Sequence, residues 1–495
     1  TLRLEPADVS LQRRGARHWL DLRVGVGGAA SGSFRLRAEM GGLAGDMAVT
    51  DGRAYVTARE VVGAGVPLGP FVFGGGLDGE LWLRWKDGRI TRVHGTVDGR
   101  GELQRADAQT GLVLDALHLS GVMQRTAGGW MAGLDSLRAE SGERLWRLDR
   151  ALLQRSGDTL ALTGGLIDLP RFGPVAALMA SPQNTLATRL ASTDPTLRGR
   201  DLRLVADLAG TTPRPLRLAA QVDELAWQPD GTLPGLAGAT GELRLTEAAA
   251  SFALGGAPHL ILDAPRAYAQ PLRFDAAQGE LTAQWSAAGI DAQLSGFSVR
   301  RGTIALAARG RLSRPAGGEP ELFIQAGTPQ APAADFFALL PDLGLSPKFI
   351  DWGRKAIQAG TLSDVQALLR GDPRRFPFRD GQGQFLGTAR FVDVELDYQP
   401  GAGWPAVSAG RGQFGLRGPE FYLSLDEGRL LDSRASTVQV RIPDVVLPSK
   451  RLLLDGVVDG PAQDVIRFVQ QSPLASRFGG RVERLAFDGT ASKRA

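Results

Sequence analysis

Apolar and polar residues alternate along most of this chain with a period of two. In "GELTAQWSAAGIDAQLSGFSVRRGTIALAARGRL", Gly279 to Leu312, Leu281, Ala283 and Trp285 share one face, followed by Ile290, Ala292 and Leu294 and then by Ile304, Leu306 and Ala308. Side chains two apart in an extended chain point the same way, so the pattern predicts strands of one sheet with one apolar side. "GELWLRWKDGRITRVHGTVDG" repeats the unit, with Leu81, Leu83 and Trp85 on one face and Trp82, Arg84 and Lys86 on the other. Asp87-Gly88 then supplies a hairpin signal, and Asp51-Gly52, Asp98-Gly99, Asp230-Gly231, Asp380-Gly381 and Asp455-Gly456 read the same way. After Gly371 the strands resume, with Val438, Val440 and Ile442 in phase. The sum is on the order of twenty-five strands, mainly antiparallel, too many for one flat sheet.

Two places break the rhythm. Residues 174–191 carry helical spacing in short pieces interrupted by Pro182. Between Ala333 and Arg370 the pattern predicts "DFFALL" as helix, then Ser346-Pro347 as cap and first helical residue, Phe349, Trp352 and Ala356 on one face, and closure at Gly360. A last short helix is expected from Ala462 to Gln470. The expected division is β-sections at 1–170, 201–330 and 372–495, a short helical insert at 171–200 and a helical segment at 331–371. Helices so few cannot cover both faces of the sheet and read as plugs or end pieces.

Composition supports the β reading. The 65 Gly and 29 Pro imply many turns, and 43% hydrophobic content suffices for sizeable cores. The 57 basic and 53 acidic residues are interspersed, net charge +4, so no basic stripe points to nucleic acid. The absence of Cys excludes disulfides and thiolate chemistry and leaves the compartment open. No stretch reaches the roughly eighteen apolar residues of a membrane span, and "TLRLEPADVSL" opens without Met. The chain is expected to be a section of a longer protein, with any anchor outside it.

Candidate chemistry is sparse. His18, His94, His118 and His259 each fall in or beside a strand segment with no second His at ligand spacing, so no metal is expected. Gly25, Gly27 and Ala30 fit a dinucleotide fingerprint, but "SGSFRLRAEM" follows where the pyrophosphate needs a helix N-terminus, so the match reads as a turn. Asp335, Asp342, Asp351 and Asp364 sit where helix caps and surfaces want them, and nothing selects a catalytic pair. No catalytic residue and no cofactor is expected, and the chain does not read as an enzyme.

The stretch "FFALLPDLGLSPKFIDWGRKAIQAGTLSDVQALLRGDPRRFPF" resembles the AsmA-like proteins of Gram-negative envelopes, in their YhdP-type branch. Trp352 and the run Gly371, Asp372, Pro373, Phe376, Pro377 and Phe378 carry the likeness, and Tyr398, Gln399, Pro400, Trp404, Pro405 and Ala406 extend it. Two departures are Gly353, where a larger apolar residue is common, and the extra Gly401 and Ala402. The resemblance is strong from about Leu233 onward and looser over the first 200 residues.

The resemblance implies an elongated, curled β-groove with an apolar inner face. It implies anchoring in the inner membrane by a helix outside these residues, a periplasmic location, and carriage of phospholipid towards the outer membrane. The partners implied are phospholipid acyl chains and, at the far end, outer-membrane or envelope proteins. A phospholipid with about thirty chain methylenes loses on the order of 20 kcal/mol on exposure to water, which an apolar trough avoids. The lining candidates are Leu81, Leu83, Trp85, Leu281, Trp285, Ile290, Leu294, Ile304, Leu306, Val438, Val440 and Ile442. On pattern alone the same residues fit the dry core of a sandwich. A periplasmic scaffold for outer-membrane assembly, carrying no lipid, is the alternative function.

Overall fold

Asp87 and Gly88 both take positive φ, 52° and 69°, and form the two-residue turn that the Asp-Gly step predicts. Other short turns join many of the strands of the computed structural model, which describes residues 2–28, 31–41, 50–68, 71–105, 111–179, 185–207, 214–231, 233–337, 339–340, 347–447, 451–482 and 490–494. Ala30, Pro182 and Ser346 lie outside these residues, as does the side chain of Phe349. The protein is all-β and antiparallel with a few short helices. It divides into two compact units, Thr1–Ala250 and Ser251–Ala495.

In the first unit ten strands precede a helical pair. They are β1 (Leu2–Arg14), β2 (Arg17–Gly28), β3 (Ser31–Gly41), β4 (Asp51–Leu68), β5 (Phe71–Lys86), β6 (Arg89–Arg105), β7 (Gly111–Thr126), β8 (Gly129–Ser141), β9 (Arg144–Ser156) and β10 (Thr159–Leu169). Helices α1 (Gly173–Met179) and α2 (Thr185–Thr193) follow, then β11 (Thr196–Asp207), β12 (Arg214–Trp227) and β13 (Gly235–Thr246). Each strand pairs antiparallel with the next in sequence, through the helical break as well. Helix α1 sets Leu178 against Phe73, Leu112, Leu114 and Trp146 and builds a core at one end of β5–β9.

Strand β14 (Ala249–Ala257) crosses the boundary at Ser251, and the second unit continues with β15 (Leu260–Asp263), β16 (Leu272–Phe274), β17 (Ala276–Ser286), β18 (Gly289–Arg301), β19 (Ile304–Pro315) and β20 (Glu321–Pro332). Helices α3 (Ala333–Phe337) and α4 (Pro347–Ala356) precede β21 (Ile357–Gly371), β22 (Gly383–Leu396), β23 (Val407–Arg417), β24 (Glu420–Leu430), β25 (Ser433–Ile442) and β26 (Leu453–Pro461). Helices α5 (Gln463–Gln470) and α6 (Ala475–Val482) and the strand β27 (Thr490–Arg494) complete it. From β17 to β27 pairing is again between sequence neighbours.

Several expectations are corrected. Asp51-Gly52, Asp98-Gly99 and Asp455-Gly456 make no turn and lie inside β4, β6 and β26. Their glycines make room for a neighbour instead: a side chain at Gly52 would collide with the Trp85 ring, at Gly99 with Leu77, and at Gly456 with Val438. The second helix of the 331–371 segment ends at Ala356, not Gly360, and Ile357–Gly371 is strand. Gly360 has φ 112° and lies against the Val394 backbone, so it serves a close approach of two strands rather than a helix end. Helix α6 follows the expected last helix and was not anticipated.

Candidate functional site: the apolar sheet faces

Residues directly opposite in paired strands point to the same side of a sheet, so the register shows which side chains share a face. In the first unit one row runs through all thirteen strands: Leu11, Leu20, Ala38, Ala54, Leu83, Val93, Met123, Ala132, Leu153, Leu162, Leu204, Leu218 and Leu245. Every member is apolar. A second row on the same face starts Ala7, Val24, Phe34, Ala58, Gly79, Val97 and Leu119 and ends Ile167, Gly199, Val222 and Gly241, again without a polar side chain.

The second unit has the same construction. Leu281, Leu294, Gly310, Ile324, Leu369 and Phe385 form one row from β17 to β22. Another runs from Phe297 through Ala308, Ala326, Ala367, Gly387, Leu416 and Phe421 to Ile442. Ala389, Phe414, Leu423, Val440 and Leu454 form a third from β22 to β26.

These faces are unevenly covered. Helices α3 and α4 lie on the apolar side of β21–β24: Phe337 stacks on Phe414 with ring centroids 6.1 Å apart, and Trp352 meets Phe421 edge-on at 6.4 Å. Leu362, Val365, Phe391, Val394 and Leu425 are buried beneath them. Towards β17–β20 the cover ends. Leu281 is 50% exposed, Ile290 47% and Ile324 39%, and in the first unit Leu11 is 62% and Met123 44% exposed. A dry sandwich core would bury inner-strand positions such as Leu281 and Ile324 almost completely, so the sandwich expectation fails there.

The lining candidates can now be placed. Leu81, Leu83 and Trp85 are half-buried on the apolar face of the first unit, and Trp82 and Arg84 stand on the other side. Leu281, Trp285, Ile290, Leu294, Ile304, Leu306, Val438, Val440 and Ile442 all share the apolar face of the second. Ile304 is 3% exposed and is core, and Val438 packs against the core under α3. The pattern missed Val9, Leu11 and Met123, which register alone brings into the open rows.

The motif residues build an end piece. Asp372 accepts a hydrogen bond from the Arg374 amide at 3.0 Å and caps a single 3-10 turn, Pro373–Arg375, with Pro373 in its first position. After it the chain crosses a cis Phe376-Pro377 bond and buries Phe378. Gly371 and Gly383 are paired directly opposite each other, and the Phe378 ring fills the space their absent side chains leave. Phe376 packs edge-on to Phe378 and Phe385. Trp352 donates from Nε1 to the Tyr398 carbonyl at 3.0 Å, and Tyr398, Trp404 and Phe468 pack in sequence, tying α4 and α5 to the β22–β23 connection that contains Pro405. Burial pushes the Tyr398 phenol up to about 12.

Asp168, Arg198 and Glu224, and likewise Asp291 and Arg311, stand on the other side of the sheets, and on the apolar side Arg314 lies opposite Ile290. Asp168 and Glu224 flank Arg198 across strands, and Arg311 donates to Asp291 at 2.8 Å. Hydrogen bonds from Arg35, Arg17 and Arg311 hold the Asp21, Glu39 and Asp291 carboxyls below the usual carboxylate range. Among the described residues no group of His, Asp or Glu is arranged to hold a metal ion, and no helix is long and apolar enough to cross a membrane.

A family model described as YhdP protein matches residues 2–494. The chain belongs to the YhdP family. It is 23% identical over 431 residues to the intermembrane phospholipid transporter YhdP of Escherichia coli strain K12, a match taking in 84% of this chain and 33% of that protein. The chain therefore spans about a third of the length of that YhdP relative. No solved structure matches it.

Proposed function

We propose that this chain is a section of a bridge-like phospholipid conduit of the Gram-negative envelope. Acyl chains lie along the apolar rows, and head groups stay in solvent. The observation that carries the reading is the conjunction of rows without a single polar side chain and large apolar residues left open on them, such as Leu281, Ile324 and Leu11. An exposed apolar band of this extent calls for a cover, and hydrocarbon chains match its length and its indifference to head-group chemistry. Membership of the YhdP family and the likeness to an intermembrane phospholipid transporter point the same way. In this reading the section lies in the periplasm, an anchor outside these residues holds it to the inner membrane, and it performs no catalysis.

The test is mass spectrometry of an organic extract of the chain purified without detergent, beside a soluble β-protein treated identically. Stoichiometric phospholipid absent from the control is the expected result. A folded chain with lipid no higher than the control would overturn the proposal and favour a scaffold role in outer-membrane assembly.

A further inference from the structure

On the face opposite the apolar rows, strands β1 to β6 of the first unit line an open pocket of about 800 Å³. Two adjacent cross-strand rows give it its character. One contains Arg53, Arg84 and Arg92 on three neighbouring strands, and the other contains Tyr55, Trp82 and His94.

The arginine row sets like charges on three neighbouring strands. Like charges directly opposite across strands repel, and paired strands are only about 4.8 Å apart. Further along the sheet Arg198 sits between Asp168 and Glu224, which relieves that repulsion. In the pocket the carboxylates are already engaged: Glu39 pairs with Arg17 and Arg53, and Asp21 with Arg35 and Arg37. Arg84 and Arg92 are opposite one another, exposed, and have no carboxylate or side-chain hydrogen-bond partner among the described residues. Four lining guanidiniums, Arg37, Arg53, Arg84 and Arg92, face two lining carboxylates, a surplus of two positive charges. Guanidinium forks match the paired oxygens of a phosphate.

The neighbouring row supplies a second element. Tyr55 and Trp82 pack with ring centroids 5.0 Å apart and Trp82 and His94 at 4.7 Å, and Trp82 remains 41% exposed. An indole held between two rings leaves its outer edge open, an apolar rim against which the carbon skeleton of a sugar or polyol can pack.

We infer that this pocket binds a phosphorylated sugar or polyol, with the phosphate on Arg84 and Arg92 and the carbon skeleton against Trp82. The site faces away from the apolar rows, so it stands independently of lipid carriage along them. Free sugar phosphates and polyol-phosphate head groups at a membrane surface share the chemistry.

Calorimetric titration of the chain with glucose 1-phosphate, inorganic phosphate and glucose separates the parts. Glucose 1-phosphate is expected to bind, inorganic phosphate to bind more weakly, and glucose to give no heat. The R84Q/R92Q double variant should weaken glucose 1-phosphate by about tenfold or more, since both charge-assisted forks are lost. It should keep or raise the thermal midpoint, because it removes two facing like charges. Trp82→Leu should weaken glucose 1-phosphate and leave inorganic phosphate unchanged. Flotation with phosphatidylglycerol–phosphatidylcholine vesicles identifies the source: binding that R84Q/R92Q abolishes assigns a membrane head group, and solution binding without it assigns a free sugar phosphate. The inference is overturned if the folded double variant binds glucose 1-phosphate as the parent does, if glucose binds equally well, or if neither glucose 1-phosphate nor vesicles bind through the arginines.

Discussion

Replacing Leu281 and Ile290 together with Ser tests whether the open part of the apolar face is a lipid track. The two side chains lie on paired strands and face the same way, one 50% and the other 47% exposed. Full burial of such a side chain is worth about 2 kcal/mol, so covering the exposed half of each with hydrocarbon contributes about 1 kcal/mol, or about 2 kcal/mol for the pair. At 1.4 kcal/mol per factor of ten, lipid occupancy at this end of the face should fall about thirtyfold. The packed halves are lost as well, at a similar cost of about 2 kcal/mol in stability, which a unit of ordinary stability near 5–15 kcal/mol survives. The assay is transfer of a fluorescent phospholipid from donor vesicles to the chain, with thermal unfolding by circular dichroism alongside. Leu362→Ser is the contrasting variant: Leu362 is fully buried beneath α3, and its loss should cost about 2–5 kcal/mol of stability. Undiminished lipid uptake by a folded L281S/I290S chain would refute the reasoning, as would a loss of uptake that merely tracks unfolding in both variants.

Asp464→Asn should lower stability by about 2 kcal/mol, read as a fall in the denaturation midpoint. Its carboxylate is buried: Oδ2 accepts from Ser433 Oγ at 2.7 Å and from the Asp432 amide at 3.0 Å, and Oδ1 faces Arg467 at 3.4 Å, where an amide NH2 would meet the guanidinium. Acidification should weaken the first unit through Asp21 and Glu39. Their folded-state pKa values are depressed by hydrogen bonds from Arg35 and Arg17, so the contribution is present above the ordinary carboxylate range and disappears as pH falls through the lowered values. A scan of thermal midpoint against pH should show a shallower acid limb in Asp21→Asn, and an identical limb would contradict the assignment.

The face of each strand was legible in the sequence, and the fate of each face was not. A period of two separates Leu83 from Trp82 and Arg84 without any knowledge of neighbours, and the register keeps them apart. Row membership depends on bulges: the register shift between Leu294 and Phe297 keeps both on the apolar face although they are three residues apart. Burial depends on what lies above. Ile304 and Ile290 look alike in the sequence, yet one is 3% and the other 47% exposed. The Asp-Gly steps misled where Gly was chosen for a neighbour's ring rather than for a turn, as under Trp85. The motif from Gly371 to Phe378 was legible as a resemblance, but that Phe378 fills the gap left by two opposed glycines required the coordinates. The arginine pocket was invisible because the three guanidiniums of its arginine row come from strands begun at residues 51, 71 and 89 and meet only through pairing.

Pairing of every strand from β1 to β13 with its successor has a kinetic consequence. The contacts that close this sheet are nearly all local in sequence, which is unusual for an all-β protein and favours rapid assembly. Each hairpin can dock as it emerges during synthesis, on an edge that its predecessor has just completed. The growing edge is the vulnerable element, an unpaired ladder that the next hairpin silences. A construction of this kind lengthens or shortens by whole hairpins, and the strands already laid down keep their register.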